Sequence, residues 1–430
     1  MNGFRLDVGD EEPRGGTITI EPVDDECAVT VVFRPTLKNT LTAEARAVVE
    51  GLGKNGYLDF EYVVKRFDLM KIMDEIRLAI NHLNRFENRA FQNRDVAFSD
   101  GHALAAALLP LARIGHQLYT KLFSFGLNPG SMNVTSESLT RASWRVHGEL
   151  LRSWLQDAKA LHIVCRHCYL PWNLIYPELV ADSAEAVRVE EFWGFSKRLQ
   201  LFQVGVTNLA VMKSEWRLAA GVEEKDGSVA DGRRIHDDAA HPFRARANGR
   251  VSWHEQPRSL FADLERDIIY HFGHASGTTR GYAYNGVVLN GYSFSSADLE
   301  TLFDTGQLPV TTASPHLLYL NGCSTAPGSG EGCNSTLVDA LVRGSPGTFC
   351  FVTTFGDVPP WAAAEFARRF FDSYFGSSET APRSLGDSLW IARHEMLALY
   401  QNPIGLLYEA VGKLATRLGA QPPSITGRLS

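Results

Sequence analysis

The chain has 430 residues, 44% of them apolar and 10% aromatic, enough for two or three hydrophobic cores. Its net charge is −7 and its Lys and Arg are scattered without a stripe, so nucleic acid is not an expected partner. The longest apolar run, Ala103–Ala112, is far shorter than the ~20 residues of a membrane span and contains Pro110, and six irregularly spaced cysteines read as reduced thiols of a cytosolic protein.

The first 16 residues are acidic and glycine-rich, lack an apolar leader segment, and are expected to be flexible. Thr17–Glu21 and Ala28–Phe33 are rich in β-branched residues and flank a polar turn, which predicts paired strands. From Asp59 to about Ala90 the apolar residues Phe60, Val63, Val64, Phe67, Met70, Met73, Ile76, Ile80 and Leu83 recur at spacings of three and four, which predicts a helix. Further helices are predicted over His102–Phe123 and Arg141–Leu155. Beyond Leu155 the period changes. Near-continuous apolar runs at Leu161–Cys165, Leu201–Val206, Asp267–Phe272, Leu317–Leu320 and Thr348–Thr353 alternate with helical patterns at Arg258–Arg266, Ser296–Phe303, Ser335–Arg343 and Trp361–Phe375. That alternation predicts an α/β fold, with a mostly parallel sheet covered by helices on both faces. Gly221–Arg250 is polar and rich in Asp, Arg, Gly and Ala, and reads as a long surface loop.

In an open parallel sheet, ligands collect at the carboxyl ends of the strands. Two strand ends carry chemistry. In "DIIYHFGHASG" His274 lies just past the strand, and in "LLYLNGCSTA" Cys323 occupies the equivalent place. If the two strands are neighbours, an imidazole and a thiol share one crevice. A free thiol has a pKa near ~8.5 and is only slightly ionised at neutral pH. An imidazole beside it can take the proton and later return one to a leaving amine. The small residues Gly322, Ser324, Thr325 and Ala326 would let a substrate backbone approach, and the amides of Cys323 and of the residue beside His274 are candidate oxyanion donors. The plain alternative on spacing alone is a cysteine that serves as a small buried apolar residue.

The same segments resemble the CHAT domain, a branch of the caspase-like cysteine peptidases. In that family one strand ends in His-Phe-x-x-His-Gly and a later strand ends in a small residue, the nucleophilic Cys and Ser or Thr. The likeness covers roughly residues 100–400. Gly286–Leu302 is similar to the family's hairpin and helix, Leu337–Phe375 to the helix, strand, Asp-containing turn and helix after the Cys, and Leu385–Leu397 to the next helix. Upstream, "YLPWNLIYPE" (Tyr169–Glu178) resembles a Leu-Pro-Trp-Glu-Leu-Leu element, and Ile114–Phe123 the helix before it. The resemblance implies Cys323 as nucleophile and His274 as general base. His271 is then a packed or supporting residue, and less readily the base. Gly322 and Ala275 belong to the oxyanion side, and Asp357, Ser324 and Thr325 to a substrate pocket, although Asp357 also suits a turn-capping role. Three positions depart from the pattern: Ala275 stands where Gly is usual, Asn173 where Glu is usual, and Phe355-Gly356 where a Trp is common.

The implied organisation is a flexible stretch over 1–16, a β-pair and helical region over 17–98, and a caspase-like peptidase domain over 99–415. That domain divides into a pseudo-caspase half to about 220, the loop 221–250 and a catalytic half from about 251, with a tail over 416–430. The implied activity is a cytoplasmic cysteine endopeptidase acting on a protein or peptide, gated by a regulatory protein partner, with roles in bacterial defence or programmed cell death. A catalytically idle scaffold is the alternative, supported by Ala275, and a transferase- or ligase-like use of the thiol is a third. No cofactor or metal is implied. Cys165 and Cys168 have no second cysteine pair to complete a zinc site. His394-Glu395 opens an HExxH that ends on Ala398, and Gly227–Arg234 imitates a phosphate loop without its Lys-Ser/Thr. Gly328–Gly332 is a loop, not a dinucleotide fingerprint.

Overall fold

The structure, a computed structural model, describes residues 16–22, 28–35, 60–86, 91, 98, 100–123, 151–165, 170–180, 183–203, 212–213, 216–224, 226–246, 251–263, 266–276, 286–308, 316–323, 325, 337–344, 350–376, 381–412, 414 and 417–418. The expected flexible N-terminus, most of the helix predicted over Arg141–Leu155, the Arg166–Cys168 part of the cysteine pair, Ser324, Gly328–Gly332 and nearly all of the tail lie outside these residues.

The strands are β1 (Gly16–Pro22), β2 (Ala28–Pro35), β3 (Phe60–Lys65), β4 (Ala160–Cys165), β5 (Arg198–Gln203), β6 (Met212–Lys213), β7 (Leu218–Val222), β8 (Val251–Trp253), β9 (Ile268–Phe272), β10 (His274–Ser276), β11 (Gly286–Leu289), β12 (Tyr292–Ser295), β13 (Leu317–Asn321), β14 (Cys350–Thr354), β15 (Tyr408–Gly412) and β16 (Arg417–Leu418). Eleven of them form one sheet in the order β3-β2-β1-β4-β5-β15-β14-β13-β9-β7-β8. Seven of its ten pairings are parallel; β1–β2, β2–β3 and β14–β15 are antiparallel. The mostly parallel α/β sheet flanked by helices that the alternation predicts is therefore present. Strands β7, β9, β13 and β14 are buried at every position, which is why the last three read as near-continuous apolar runs rather than as alternating ones.

The N-terminal strands pair as expected, and β1 also runs parallel to β4, so the pair extends the main sheet. The helix predicted from Asp59 begins later. Phe60–Lys65 is strand β3, paired with β2, and helix α1 covers Arg66–Arg85. The segment FEYVVK combines aromatic and β-branched residues, and a neighbouring strand settled its conformation against the helical spacing of Phe60, Val63 and Val64. Helix α2 (Gly101–Phe123) carries Pro110 within it and packs on α1.

The largest departure is in the stretch expected as the loop 221–250. It begins in β7, continues into helix α3 (Ala230–Asp237), and includes a short helix, Pro242–Arg246. Gly232, Ile235 and His236 of α3 are buried. A Cβ on Gly232 would lie 2.6 Å from the Phe272 ring and 2.7 Å from the Pro360 carbonyl oxygen, so the polar-looking segment is seated on the sheet by a glycine. The helix expected over Arg258–Arg266 is confined to Pro257–Ala262.

The remaining helices are α4 (Ser296–Asp304), α5 (Leu337–Gly344), α6 (Pro360–Phe375) and α7 (Leu385–Tyr400). A capping box between Ser295 and Asp298 starts α4. Aromatic rings of α6 cover the middle of the sheet. Phe371 lies 5.6 Å from Tyr270 and 5.4 Å from Tyr319, ring centre to ring centre. After α7 the chain returns as β15, which sits between β5 and β14 and joins the two halves of the sheet.

Candidate active site

Strands β9 and β13 are parallel neighbours, and their ladder runs to the pair Phe272–Asn321. The Gly273 amide extends it by donating to the Asn321 carbonyl at 3.3 Å. His274 and Cys323 each stand two residues beyond that last pair, at the carboxyl ends of strands ~4.8 Å apart. The chains stay close past the strands. A Cβ on Gly322 would fall 2.7 Å from the Gly273 carbonyl oxygen and 3.6 Å from the Ala275 nitrogen. Only a glycine permits that approach, which brings the peptide before the thiol against the turn that carries the histidine.

His274 opens β10, which leaves the main sheet to pair with β11 of the β11–β12 hairpin. The hairpin turns on Asn290 (φ 54°) and Gly291 (φ 80°), the left-handed pair favoured in two-residue turns. His271 is fully buried inside β9 and donates from Nε2 to the Val288 carbonyl at 3.1 Å. Burial lowers its pKa to about 4, so it stays neutral and pins β9 to the hairpin.

The His274 imidazole is partly exposed, and its Nε2 lies 2.7 Å from Oδ2 of Asp226. A carboxylate there fixes the proton on Nε2 and leaves Nδ1 as the basic nitrogen. Asp226 follows β7 closely, and Glu223 and Glu224 are anchored. The Glu223 amide donates to the Phe272 carbonyl at 2.7 Å, the Asn290 amide to the Glu223 carboxylate, and the Glu224 amide to Asn290 Oδ1 at 2.8 Å. Sequence reasoning missed Asp226, because it fell in the presumed loop. The available signal was a further apolar run, Leu218–Val222, followed by Glu223, Glu224 and Asp226.

Cys323 is partly buried, with its Sγ 3.8 Å from the Val358 carbonyl oxygen and beside the Asp357 carboxylate. Burial first, and the negative charge of Asp357 second, push the thiol up to about 12. Burial also raises Asp357, and its contact with the thiol partly offsets this. Asp357 keeps much of its surface in solvent, although its carboxyl is partly desolvated beside the thiol, and it sits in the turn between β14 and α6. Helix α1 packs on that turn: a Cβ on Gly356 (φ +93°) would meet Ile80 at 2.8 Å, and Asn84 Nδ2 donates to the Asp357 carbonyl at 3.5 Å.

Thr325, expected on the substrate side, points inward. It is buried and donates from Oγ1 to the Leu320 carbonyl at 2.9 Å, while the Thr354 amide donates to Oγ1 at 3.0 Å. Beneath the thiol, Asn321 is also tied down. Its Nδ2 donates to Tyr270 Oη at 3.0 Å and to the Ala363 carbonyl at 2.9 Å, and Tyr408 donates to its Oδ1. Tyr270 in turn lies 2.7 Å from Nε2 of His236, whose Nδ1 donates to the Gly232 carbonyl at 3.0 Å. Asn173, noted in the sequence as a departure from the expected Glu, is buried and donates to the Tyr408 carbonyl, so it serves the core. His394 is bonded to the Trp390 carbonyl within α7. Among the described residues there is no cluster of three or more His, Cys, Asp or Glu able to hold a metal ion, and no helix long and apolar enough to cross a membrane.

No family model and no curated protein matches the chain. Among solved structures, it is similar to the separase–securin complex of Saccharomyces cerevisiae, with 13% identity and a TM-score of 0.43, over 95% of this chain and 30% of that one. It is also similar to the Arg-specific cysteine proteinase gingipain R, with 11% identity and a TM-score of 0.41, over 82% of this chain and 75% of that one. A complex of Porphyromonas gingivalis RgpB pro- and mature domains gives 10% identity and a TM-score of 0.39, over 81% of this chain and 77% of that one. The chain thus spans less than a third of the separase chain it matches.

Proposed function

We propose that the protein is a caspase-like cysteine endopeptidase that cleaves a protein substrate through Cys323 and His274. The observation that carries this reading is the delivery of both residues by adjacent parallel strands to one edge of the sheet, with Gly322 packed against Gly273 and Ala275.

The substrate enters as an extended strand between the two loops. Cys323 loses its proton to Nδ1 of His274 as its sulfur bonds to the scissile carbonyl carbon. The amides of Cys323 and Ala275 hold the oxyanion. When the C–N bond breaks, His274 gives the proton to the leaving amine. Water then attacks the thioester, His274 takes a proton from it, the S–C bond breaks, and the thiol recovers its proton as the acid product leaves. Asp226 holds the imidazole in the required tautomer and stabilises the imidazolium. Asp357, an exposed carboxylate beside the sulfur, meets a substrate side chain. The chemistry calls on no cofactor.

Burial and the nearby Asp357 push the thiol up to about 12, so its deprotonation is left to His274, and a regulatory protein partner controls the site. The N-terminal strands and helix α1 are the surface for that partner. The resemblance to CHAT proteins extends the reading to cytoplasmic bacterial defence or programmed cell death. The elevated thiol and the Cβ of Ala275 equally favour the second reading, an idle scaffold of the same fold. Alkylation of Cys323 by iodoacetamide, followed on its own peptide by mass spectrometry, separates them. The peptidase reading expects His274→Ala to slow that alkylation at least tenfold at pH 7.5. An unchanged rate overturns it in favour of the scaffold.

A further inference from the structure

The backbone ladder between β13 and β14 stops at the pair Tyr319–Val352. Beyond it two threonine side chains take over. Thr354 donates from Oγ1 to the Gly322 carbonyl, and the Thr325 amide reaches the same Oγ1 at 3.4 Å. The return bond from the Thr354 amide to Thr325 Oγ1, at 3.0 Å, closes the pair, and Thr325 anchors itself on the Leu320 carbonyl. Both threonines and Gly322 are buried, so the Gly322 carbonyl depends on this bond for its partner in place of water.

The clasp has a geometric effect on the next group along the chain. The Gly322–Cys323 peptide is trans. In a trans peptide the C=O and N–H point in opposite directions. The carbonyl is held toward Thr354, on the β14 side of β13. The Cys323 N–H therefore faces away from Thr354 and reaches its own Sγ, while the Ala275 nitrogen lies beside Gly322 at the end of β9. A hydrogen bond on the carbonyl also polarises the amide of the same peptide and makes it a stronger donor.

We propose that Thr354, supported by Thr325, is a positioning residue for the oxyanion site: its hydroxyl fixes the peptide plane that aims the Cys323 amide at the developing oxyanion. This rests on the peptidase reading above. It differs from a generic role in stability because it acts on one chemical step only. Attack of the thiolate on an acyl carbon builds an oxyanion, whereas attack on an alkyl iodide does not.

Two small reagents exploit that difference without any need for the natural substrate. With p-nitrophenyl acetate, the Cys323 sulfur bonds to the acetyl carbon, the proton passes to His274, and nitrophenolate departs with the electron pair of the broken C–O bond. With iodoacetamide, the sulfur displaces iodide directly. Both rates are read on the Cys323 peptide by mass spectrometry. Thr354→Val is expected to lower the acetylation rate at least tenfold and to leave the alkylation rate within about twofold, and Thr354→Ser to restore the ratio. An unchanged ratio, or two rates that fall together, overturns the assignment. If the valine variant does not fold, Thr325→Val serves in its place, since it removes the acceptor that anchors the Thr354 amide; the ratio must again fall, and an unchanged ratio again overturns the assignment. The underlying reading is judged separately with His274→Ala, which must slow both reagents. If it slows neither, the Cys–His reading fails whatever the ratio does in the threonine variants.

Discussion

Replacing Asp357 with Asn removes a negative charge from beside Cys323 while keeping the size of the side chain. Two causes raise the thiol to about 12, burial first and Asp357 second, so the substitution acts on the smaller one. For any two unit charges roughly 5 Å apart, Coulomb's law gives about 3 kcal/mol for an effective dielectric constant near 20 and under 1 kcal/mol for water. Asp357 is exposed, so solvent screening places the effect toward the lower part of that interval, about 1.4 kcal/mol, or one pKa unit. The sign is unambiguous: a nearby negative charge disfavours the thiolate, so removing it lowers the Cys323 pKa and increases thiolate about tenfold at any pH below the midpoint. The assay is the alkylation rate of Cys323 by iodoacetamide between pH 6 and 11. The profile of Asp357→Asn should move about one unit toward acid, with its midpoint still above the ~8.5 of a free thiol because burial is untouched. A profile that superposes on the wild type, or moves toward alkali, refutes the electrostatic account of the resting thiol.

Asp226→Asn should slow His274-dependent alkylation of Cys323 about tenfold or more at pH 7.5, since the imidazole loses its orienting carboxylate. Because that pair is exposed, the free energy of urea unfolding should change by less than about 1 kcal/mol. Phe371→Ala, which empties a fully buried site against Tyr270, Tyr319 and Phe243, should cost about 3–5 kcal/mol in the same unfolding experiment. His236 is buried and neutral with its pKa lowered to about 4, chiefly by desolvation. In the unfolded chain it takes up a proton near pH 6.5, so its share of stability is complete above that pH and is lost as pH falls toward 4. His236→Gln should flatten the decline of melting temperature over that window; an unaltered slope excludes His236 as its source.

The two strand ends were legible because each combines a near-continuous apolar run with a glycine before the candidate residue, and such runs are read correctly when a strand is buried on both faces. Asp226 was not legible, since β7 (Leu-Ala-Ala-Gly-Val) is short and built mostly of small residues, and the acidic run after it looked like the start of a solvated loop. Strand β15 escaped for a different reason. It contains Glu409, a buried carboxyl raised to about 8 by desolvation and partly offset by Arg393, and a charged residue argues against a central strand until its partner on α7 is known. The inward turn of Thr325 depends on Thr354, 29 residues away on β14, so no local pattern could assign its hydroxyl. The strand β3 error has the same root: spacing over six residues does not separate strand from helix until a neighbouring strand decides it.

The contact of Ile80 and Asn84 with the Gly356–Asp357 turn ties the two ends of the polypeptide's architecture together. A segment that reads as an appendage packs on the turn beside Cys323. Trimming the chain back to residue 99 to obtain a minimal catalytic fragment would strip the buttress from the acidic turn beside the sulfur. A molecule that grasps that helix from outside would press, through Ile80 and Asn84, on the turn that carries Asp357 beside Cys323.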